Sequence, residues 1–291
     1  RQVLLLYLMP LSSGLILAFA MAIPEMAWLA ALGLAPFLIV SLKPSAHHGQ
    51  NIATGVLFGL ILFGLHFRYA IAALDPLVFS LLLLYVSLYS GLFALGMGHI
   101  SRRNREWACV AAPFLWVGLE FIRANLFTGF QAGALGASQA RAGVIVQLAS
   151  IAGVYGISFV LVVINVAVAR LFMARHLSPR LTAAWLSATA CLIVGTVAYG
   201  TSIPDDSGTL SGRTIRVAAV QGGVDERNYE PNQVRAHIIE TYRSLLASFS
   251  TDVIKVDGTR LATYVPPPDL IVLPETMTGS YLARDSAFTS L

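Results

Sequence analysis

The chain has 291 residues, 56% of them apolar and only 12% charged, with a mean hydropathy of +0.72. Soluble domains carry about 25% charged residues, so this composition excludes an ordinary soluble globular protein and indicates a membrane protein, wholly or in large part. Residues 1–200 hold four acids against eleven Lys and Arg, a balance of +7, whereas residues 201–291 hold eleven acids against eight, a balance of −3. A membrane part and a water-facing part are therefore expected to meet near residue 201.

The first residue is Arg1 rather than Met, so a few residues are expected to precede it. The apolar run 3–23 is long enough to span a bilayer. Its Ala18-Phe19-Ala20 mimics a signal-peptidase site. Another apolar run, 26–42, follows at once, which favours a retained helical hairpin turned at Pro24-Glu25. Further runs cover 52–74, 77–100, 107–122, 151–172 and 183–199. Each is about 16 to 24 residues, against the ~20 needed to cross ~30 Å of hydrocarbon. Seven spans are expected.

Loop charges set the expected orientation. Alternate loops hold Arg1, then Lys43, then Arg102, Arg103 and Arg105, then Arg175 and Arg180, with Arg170 close by. The opposite loops hold only Arg123 and Arg141, with Arg68 near a span's end. Cationic loops stay in the cytoplasm, so the N-terminus reads as cytoplasmic and everything after Gly200 as external. The cluster SRRNRE at 101–106 could suit a nucleic acid, but an inner-leaflet stop signal accounts for it, and no nucleic-acid partner is expected.

Residues 125–150 are apolar and glycine-rich, with Arg141 as their only charge. Such a segment is expected to lie at the outer interface or to re-enter the bilayer. Glu120 and Arg123 stand just before it, three residues apart on one helix face. An ionisable pair there is either a substrate-binding candidate or a local structural pair. Cys109 and Cys191 both fall inside spans without metal-ligand spacing and read as buried structural thiols rather than a disulfide. The six histidines are scattered and His47-His48 makes no recognisable metal site. Phosphate-loop, GxSxG and dinucleotide fingerprints are missing, there is no internal repeat, and no cofactor is called for.

A turn-rich linker, 201–213, leads into TIRVAAVQ at 214–221, which reads as a strand ending in Gly222-Gly223. That pair suits a tight turn or close backbone approach. Pro231 suits a helix's first turn, and Val234, Ile238, Ile239, Tyr242, Leu245, Leu246 and Phe249 form one apolar helical stripe. After a loop over 250–268 comes DLIVLPET at 269–276, a short run punctuated by prolines that reads as a fully buried strand. A parallel β-α-β unit with a right-handed crossover is expected. Glu275 then sits just past a strand's carboxyl end, where α/β sheets place their chemistry; it reads as a general base or as a solvated turn acid. One such unit leaves a sheet open, so the domain over 214–291 is expected to continue beyond this sequence.

Several motifs in this order resemble the N-terminal portion of the apolipoprotein N-acyltransferases, the membrane branch of the nitrilase (carbon–nitrogen hydrolase) superfamily. They are PFLWVGLEFIRANLFTGF at 113–130, LGASQ at 135–139, GVYGISFVL at 153–161, RVAAVQGGV at 216–224 and PDLIVLPET at 268–276. The resemblance implies a multi-span α-helical membrane domain over 1–200, then the start of an α/β nitrilase-like domain, an αββα sandwich truncated here. It places the protein in a bacterial inner membrane with that domain in the periplasm. It departs from relatives at Phe130-Gln131-Ala132, where FPW is usual, at Leu273, often Trp, and at Gly223, often Asn.

The same resemblance implies a Glu-Lys-Cys catalytic set, of which only the Glu maps, onto Glu275. Lys43, Lys255, Cys109 and Cys191 all precede it, whereas the family's Lys and Cys follow it. The implied reaction moves a fatty acyl chain from a membrane phospholipid, through a thioester, to the N-terminal amine of a diacylglyceryl-modified apolipoprotein. A membrane-tethered amidase or nitrilase is one alternative. A non-enzymatic scaffold or transporter with a degenerate nitrilase domain is another, although a transporter predicts inverted repeats, of which there are none, and midplane charges, of which there are few.

Overall fold

The computed structural model describes residues 2–43, 47–72, 74–127, 129–203, 215–223, 231–247, 254–256, 259–261 and 268–274. The fold divides into two units, Arg1–Asp205 and Asp206–Leu291, and the division falls inside the linker read from the sequence.

The first unit is helical. Helix α1 (Gln2–Ala22) ends where a 3₁₀ turn, Pro24–Leu29, begins. Two short helices, α2 (Ala30–Gly33) and α3 (Ala35–Ser41), complete the second apolar segment. Then come α4 (His48–His66), α5 (Pro76–Arg103) and α6 (Arg105–Asn125). After an irregular stretch and a 3₁₀ turn (Leu135–Gln139) follow α7 (Gly143–Val146), α8 (Ala149–Phe172) and α9 (Pro179–Ser202). Six described segments are long and apolar enough to cross a membrane, from Pro24–Ser41 to Pro179–Ser202, and Leu6–Ala22 is a shorter apolar helix. Their outward faces remain greasy: Leu81, Phe114, Ile151 and Val194 are all more than half exposed. A bilayer rather than water suits such a surface.

Local chemistry sets the helix starts. The Asp75 carboxylate accepts from Leu77 N at 2.8 Å ahead of Pro76, and Asn104 Oδ1 accepts from Glu106 N at 2.8 Å. Each satisfies an amide that a helix start leaves unpaired. The run expected over 52–74 is split, with α4 ending at His66 and a 3₁₀ turn, Arg68–Ala72, following.

Small residues let α4 and α5 close together. A Cβ at Gly59 would lie 2.8 Å from Ser87 Cα, and one at Gly55 would lie 2.7 Å from Gly91 Cα. Gly55 and Gly59 thus form a small-xxx-small seam, the arrangement that brings backbones together where no hydrophobic force separates protein from lipid.

The second apolar segment is broken, and the break is supported from α8. Asn165, fully buried, accepts from Leu34 N at 2.8 Å and Ala35 N at 2.9 Å. Its amide nitrogen donates to Ala30 O and Leu161 O, both at 2.8 Å. Irregular backbone at membrane depth persists only where protein satisfies it, and one carboxamide with two donors and one acceptor oxygen does so here. At the far end of α8, buried Arg170 bonds Glu106 Oε2 at 2.6 Å and Thr182 Oγ1 at 3.1 Å. Glu106 Oε1 accepts from Ser178 N at 2.8 Å, so one ion pair ties the start of α6 to the ends of α8 and α9.

Helix α9 touches the bundle along one stripe. Thr182, Thr189, Thr196 and Gly200 are buried, the three threonines seven residues apart. Cys191 lies off this stripe and is exposed, against the expectation of a buried thiol, whereas Cys109 is buried; both are unpaired.

The second unit begins with β1 (Val217–Ala219), followed by α10 (Pro231–Ala247). Next come β2 (Ile254–Val256), β3 (Thr259–Leu261) and β4 (Leu270–Val272). Strands β1 and β4 pair in parallel with Val217 opposite Leu270, which is the β-α-β arrangement expected. Asp269 helps set this register, accepting from Arg216 N at 2.8 Å. Two expectations are corrected. The loop over 250–268 contains an antiparallel pair, β2 with β3. Strand β4 is exposed rather than buried, as is Val217 of β1, because among the described residues only α10 packs against the pair, through Val220 and Tyr242. Tyr242 OH accepts from Gly222 N at 3.0 Å, and a Cβ on Gly222 would meet the Tyr242 ring at 2.9 Å. The close approach expected of that glycine pair therefore falls at Gly222, with Gly223 at φ +59.

Candidate functional site

Glu275 lies outside the described residues; the chain leading to it is described as far as Pro274, just past the end of β4. Phe249, the last residue of the expected stripe, is also outside them.

Glu120 and Arg123 are described, and both are buried near the end of α6, at 6% and 4% exposure. They do not form an ion pair with each other. Glu120 Oε1 instead accepts from Trp116 Nε1 at 2.9 Å, one turn back on α6, and from Leu135 N at 2.8 Å. Arg123 stacks its guanidinium over Phe63 at 5.1 Å, and its carbonyl accepts from Phe130 N at 2.9 Å. The local-pair alternative is thus replaced by a tertiary arrangement. Glu120 holds the returning segment by its backbone, while Arg123 faces an aromatic ring on α4.

That returning segment is the 125–150 stretch. Leu135, Gly136 and Gln139 are buried in the bundle. Gly136 N donates to Ser158 Oγ of α8 at 2.8 Å, and Gln139 Nε2 donates to Ala27 O at 2.8 Å. A Cβ on Gly136 would lie 2.9 Å from Ser158 N, so the turn fits against α8 only because that residue has no side chain. Residues 134–139 thus enter the helical unit, while Phe127, Gln131 and Arg141 on either side of them stay exposed. Gly133 makes the return with φ +75 against the Phe63 and Phe67 rings.

Between α4, α5 and α6 lies a cavity of about 20 Å³ lined by Phe63, Tyr89, Phe93, Trp116, Glu120 and Arg123, among others. Glu120 Oε2 and Arg123 Nε, both buried, have no hydrogen-bond partner in the protein. An unpaired buried carboxylate oxygen and guanidinium N–H are each costly, and a space of this size holds one water or one small polar group. The arrangement can present a charge-assisted acceptor and donor to a small polar group at the end of the bundle.

Sequence reasoning missed Asn165, Ser158, Gln139 and the Arg170–Glu106 pair. Asn165 carried a signal, a lone amide inside VLVVINVAVA, since polar residues within spans are rare and are kept for a partner. Arg170 and Glu106 were legible only as loop charges.

The bundle of membrane-capable helices, followed by a parallel strand pair under an amphipathic helix, defines a multi-span membrane protein with an α/β unit at its C-terminal side. Residues 13–167 match the family model described as the apolipoprotein N-acyltransferase N-terminal domain, more than half of the chain, and the chain belongs to that family. An apolipoprotein N-acyltransferase of Geobacter metallireducens is 28% identical over 301 aligned residues, covering 98% of this chain and 53% of the relative. Proteins of the same name from Rhodopirellula baltica and Nitrosomonas europaea are each 32% identical. The first aligns over 61% of this chain and 30% of its own length, the second over 50% and 33%. The chain thus spans about half or less of the length of the curated relatives it matches.

Proposed function

We propose that this chain forms the membrane bundle and first β-α-β unit of an N-acyltransferase. The enzyme moves a fatty acyl chain from a membrane phospholipid to the N-terminal amine of a diacylglyceryl-cysteine lipoprotein. The observation that supports this reading most is the family match over residues 13–167, joined to a parallel strand pair whose second strand is followed in sequence by Leu273, Pro274 and Glu275.

In this reading Glu275 is the general base. It takes the proton of a cysteine thiol, whose sulfur attacks the acyl ester carbon of the phospholipid. A lysine ammonium and backbone N–H groups stabilise the tetrahedral oxyanion. Collapse breaks the ester C–O bond, Glu275 returns the proton to the departing lipid alcohol, and a thioester remains. The lipoprotein amine then attacks the thioester carbon, Glu275 accepts the amine proton, the C–S bond breaks, and Glu275 passes that proton to the departing thiolate to restore the thiol. Residues 276–291 hold neither a lysine nor a cysteine, so this reading assigns those two roles to no residue of this sequence.

Glu120 and Arg123 serve as substrate-binding residues, with their unpaired Oε2 and Nε offered to a polar group of a lipid substrate. In this reading the cationic loops put the N-terminus in the cytoplasm of a bacterial inner membrane, and seven crossings, the six long segments together with the shorter Leu6–Ala22 helix, put the α/β unit in the periplasm. The bundle then does more than anchor, because both substrates are lipids that reach the site from within the bilayer. In the full-length protein, Glu275→Gln is expected to lower N-acylation about 10²–10⁴-fold, read as the acyl mass added to a purified diacylglyceryl lipoprotein. Acylation at the parental rate sinks the assignment.

A further inference from the structure

The helical unit carries a larger apolar groove of about 420 Å³ between the Pro24–Leu29 turn, α8 and α9, but its Trp28 and Val197 walls lie open. The small space beside Glu120 differs in that its polar groups are buried. Among the described residues, five buried side-chain atoms lack a hydrogen-bond partner. Two of the five, Glu120 Oε2 and Arg123 Nε, belong to residues lining this one cavity of about 20 Å³.

These two atoms are complementary, one an acceptor and the other a donor, three residues apart on α6. Other contacts hold them from each other. Glu120 is committed through Oε1 to Trp116 and Leu135, and Arg123 lies over the Phe63 ring at 5.1 Å. What joins them therefore has to come from outside the protein, and charge restricts it. An anion meets the Glu120 carboxylate and a cation meets the guanidinium. A carbonyl or phosphate oxygen accepts from Nε but gives nothing to Oε2, and an ammonium does the reverse. A single oxygen that both donates and accepts is a hydroxyl, and the smallest is water. One water needs roughly 10–15 Å³ of such space, so the cavity admits one.

Buried waters make about three hydrogen bonds, and a third partner is at hand. Tyr89, 9% exposed, lines the same space, and its hydroxyl lies 2.9 Å from that of Tyr85. Whichever of the two donates, the Tyr89 oxygen keeps either its own hydrogen or a lone pair for another partner.

We propose that one resident water bridges Glu120 Oε2 and Arg123 Nε, with Tyr89 as its third partner. Glu120 and Arg123 thereby become a water-mediated ion pair that ties the 135–139 turn to the Phe63 face of α4. A polar substrate group reaches these atoms only by displacing the water, so the inference holds whether or not such a group comes.

The test is the structure of the full-length protein at a resolution that shows ordered waters. The parent should show one peak within about 2.7–3.2 Å of both atoms. Arg123→Met, which removes the donor and keeps an apolar contact for Phe63, should lose the peak. Glu120→Gln should keep it, because the carboxamide NH₂ can donate to the same oxygen. Tyr89→Phe should lower its occupancy. A parent map in which Oε2 and Nε touch directly, the space is empty, or a lipid head-group atom fills it overturns the proposal, as does a peak that persists in Arg123→Met. The parent map decides the matter even if Arg123→Met does not fold. N-acylation by the same variants reports separately on substrate binding: a parental rate for Arg123→Met ends that role for the pair and leaves the water in place.

Discussion

Replacing Asn165 with leucine removes the one side chain that supports the break between α2 and α3. Four hydrogen bonds of 2.8–2.9 Å are lost, two of them from the amides of Leu34 and Ala35. Asn165 and Leu34 are both fully buried, so no solvent can substitute. Leu34 N also reaches Leu32 O, so the amide of Ala35 is the donor left without a partner, at a cost of roughly 1–3 kcal/mol. Hydrogen bonds between membrane helices average about 0.6 kcal/mol, so the three that join different segments give about 1.8 kcal/mol, inside the same range. Leucine keeps the heavy-atom count and γ-branching of asparagine but is bulkier, so any overpacking adds to this loss rather than offsetting it. The free energy of unfolding of the purified protein in mixed micelles, titrated with a denaturing detergent, measures the loss directly. A value for Asn165→Leu within about 0.5 kcal/mol of the parent, the ordinary range for a substitution with no structural role, would refute the claim that this residue sustains the broken segment.

Arg170→Leu strands the Glu106 carboxylate and should cost about 3–5 kcal/mol in the same titration, with Arg170→Lys intermediate because one ammonium cannot reach both Glu106 and Thr182 as the guanidinium does. Gly59→Ala sets a Cβ against the Ser87 backbone and should destabilise by about 1–3 kcal/mol. Gly64→Ala, where the nearest atom is Leu83 Cδ2 at 3.7 Å, should lie within about 1 kcal/mol of the parent or gain from helix propensity; equal effects at the two positions would remove the close α4–α5 seam as an explanation. Glu120→Gln keeps an oxygen for Trp116 and Leu135 and should retain stability, whereas Glu120→Leu orphans both donors and should lose about 2–6 kcal/mol. If Gln is as damaging as Leu, the carboxylate charge itself, rather than its hydrogen bonds, holds the returning segment.

Much of the architecture was visible in one dimension because it follows from solvent. A bilayer demands long apolar runs, so hydropathy located the helices. The parallel strand pair was legible for a similar reason: prolines bracket LIVL at 270–273, and a single apolar stripe marks α10. What escaped was whatever depends on a distant partner. The second apolar run looked continuous at 26–42 because Leu34, Ala35 and Pro36 are all apolar. Pro36, with no N–H to give the preceding turn, favours a break, and what satisfies the amides beside it is a side chain 130 residues later. Glu120 and Arg123 stood three residues apart and suggested a mutual pair, yet Glu120 is taken by a backbone N–H fifteen residues on. The exposure of β4 was hidden for the opposite reason, since apolar content reports what a strand could bury and not what is present to cover it.

These tertiary bonds converge on α8. Ser158 holds the 135–139 turn, and Asn165, seven residues further along the same helix, holds the α2–α3 break. The turn in turn reaches two ways. Leu135 N binds Glu120 beside the small polar cavity, while Gln139 binds Ala27 O beside the larger apolar one. The two cavities are thus built on opposite ends of one five-residue turn that has little freedom of its own, because Gly136 lies against the α8 backbone. Helix α8 itself departs from helical geometry at Ala152 and Gly153, in the turn ahead of Ser158, so the kink and the residue that holds the 135–139 turn share one helix.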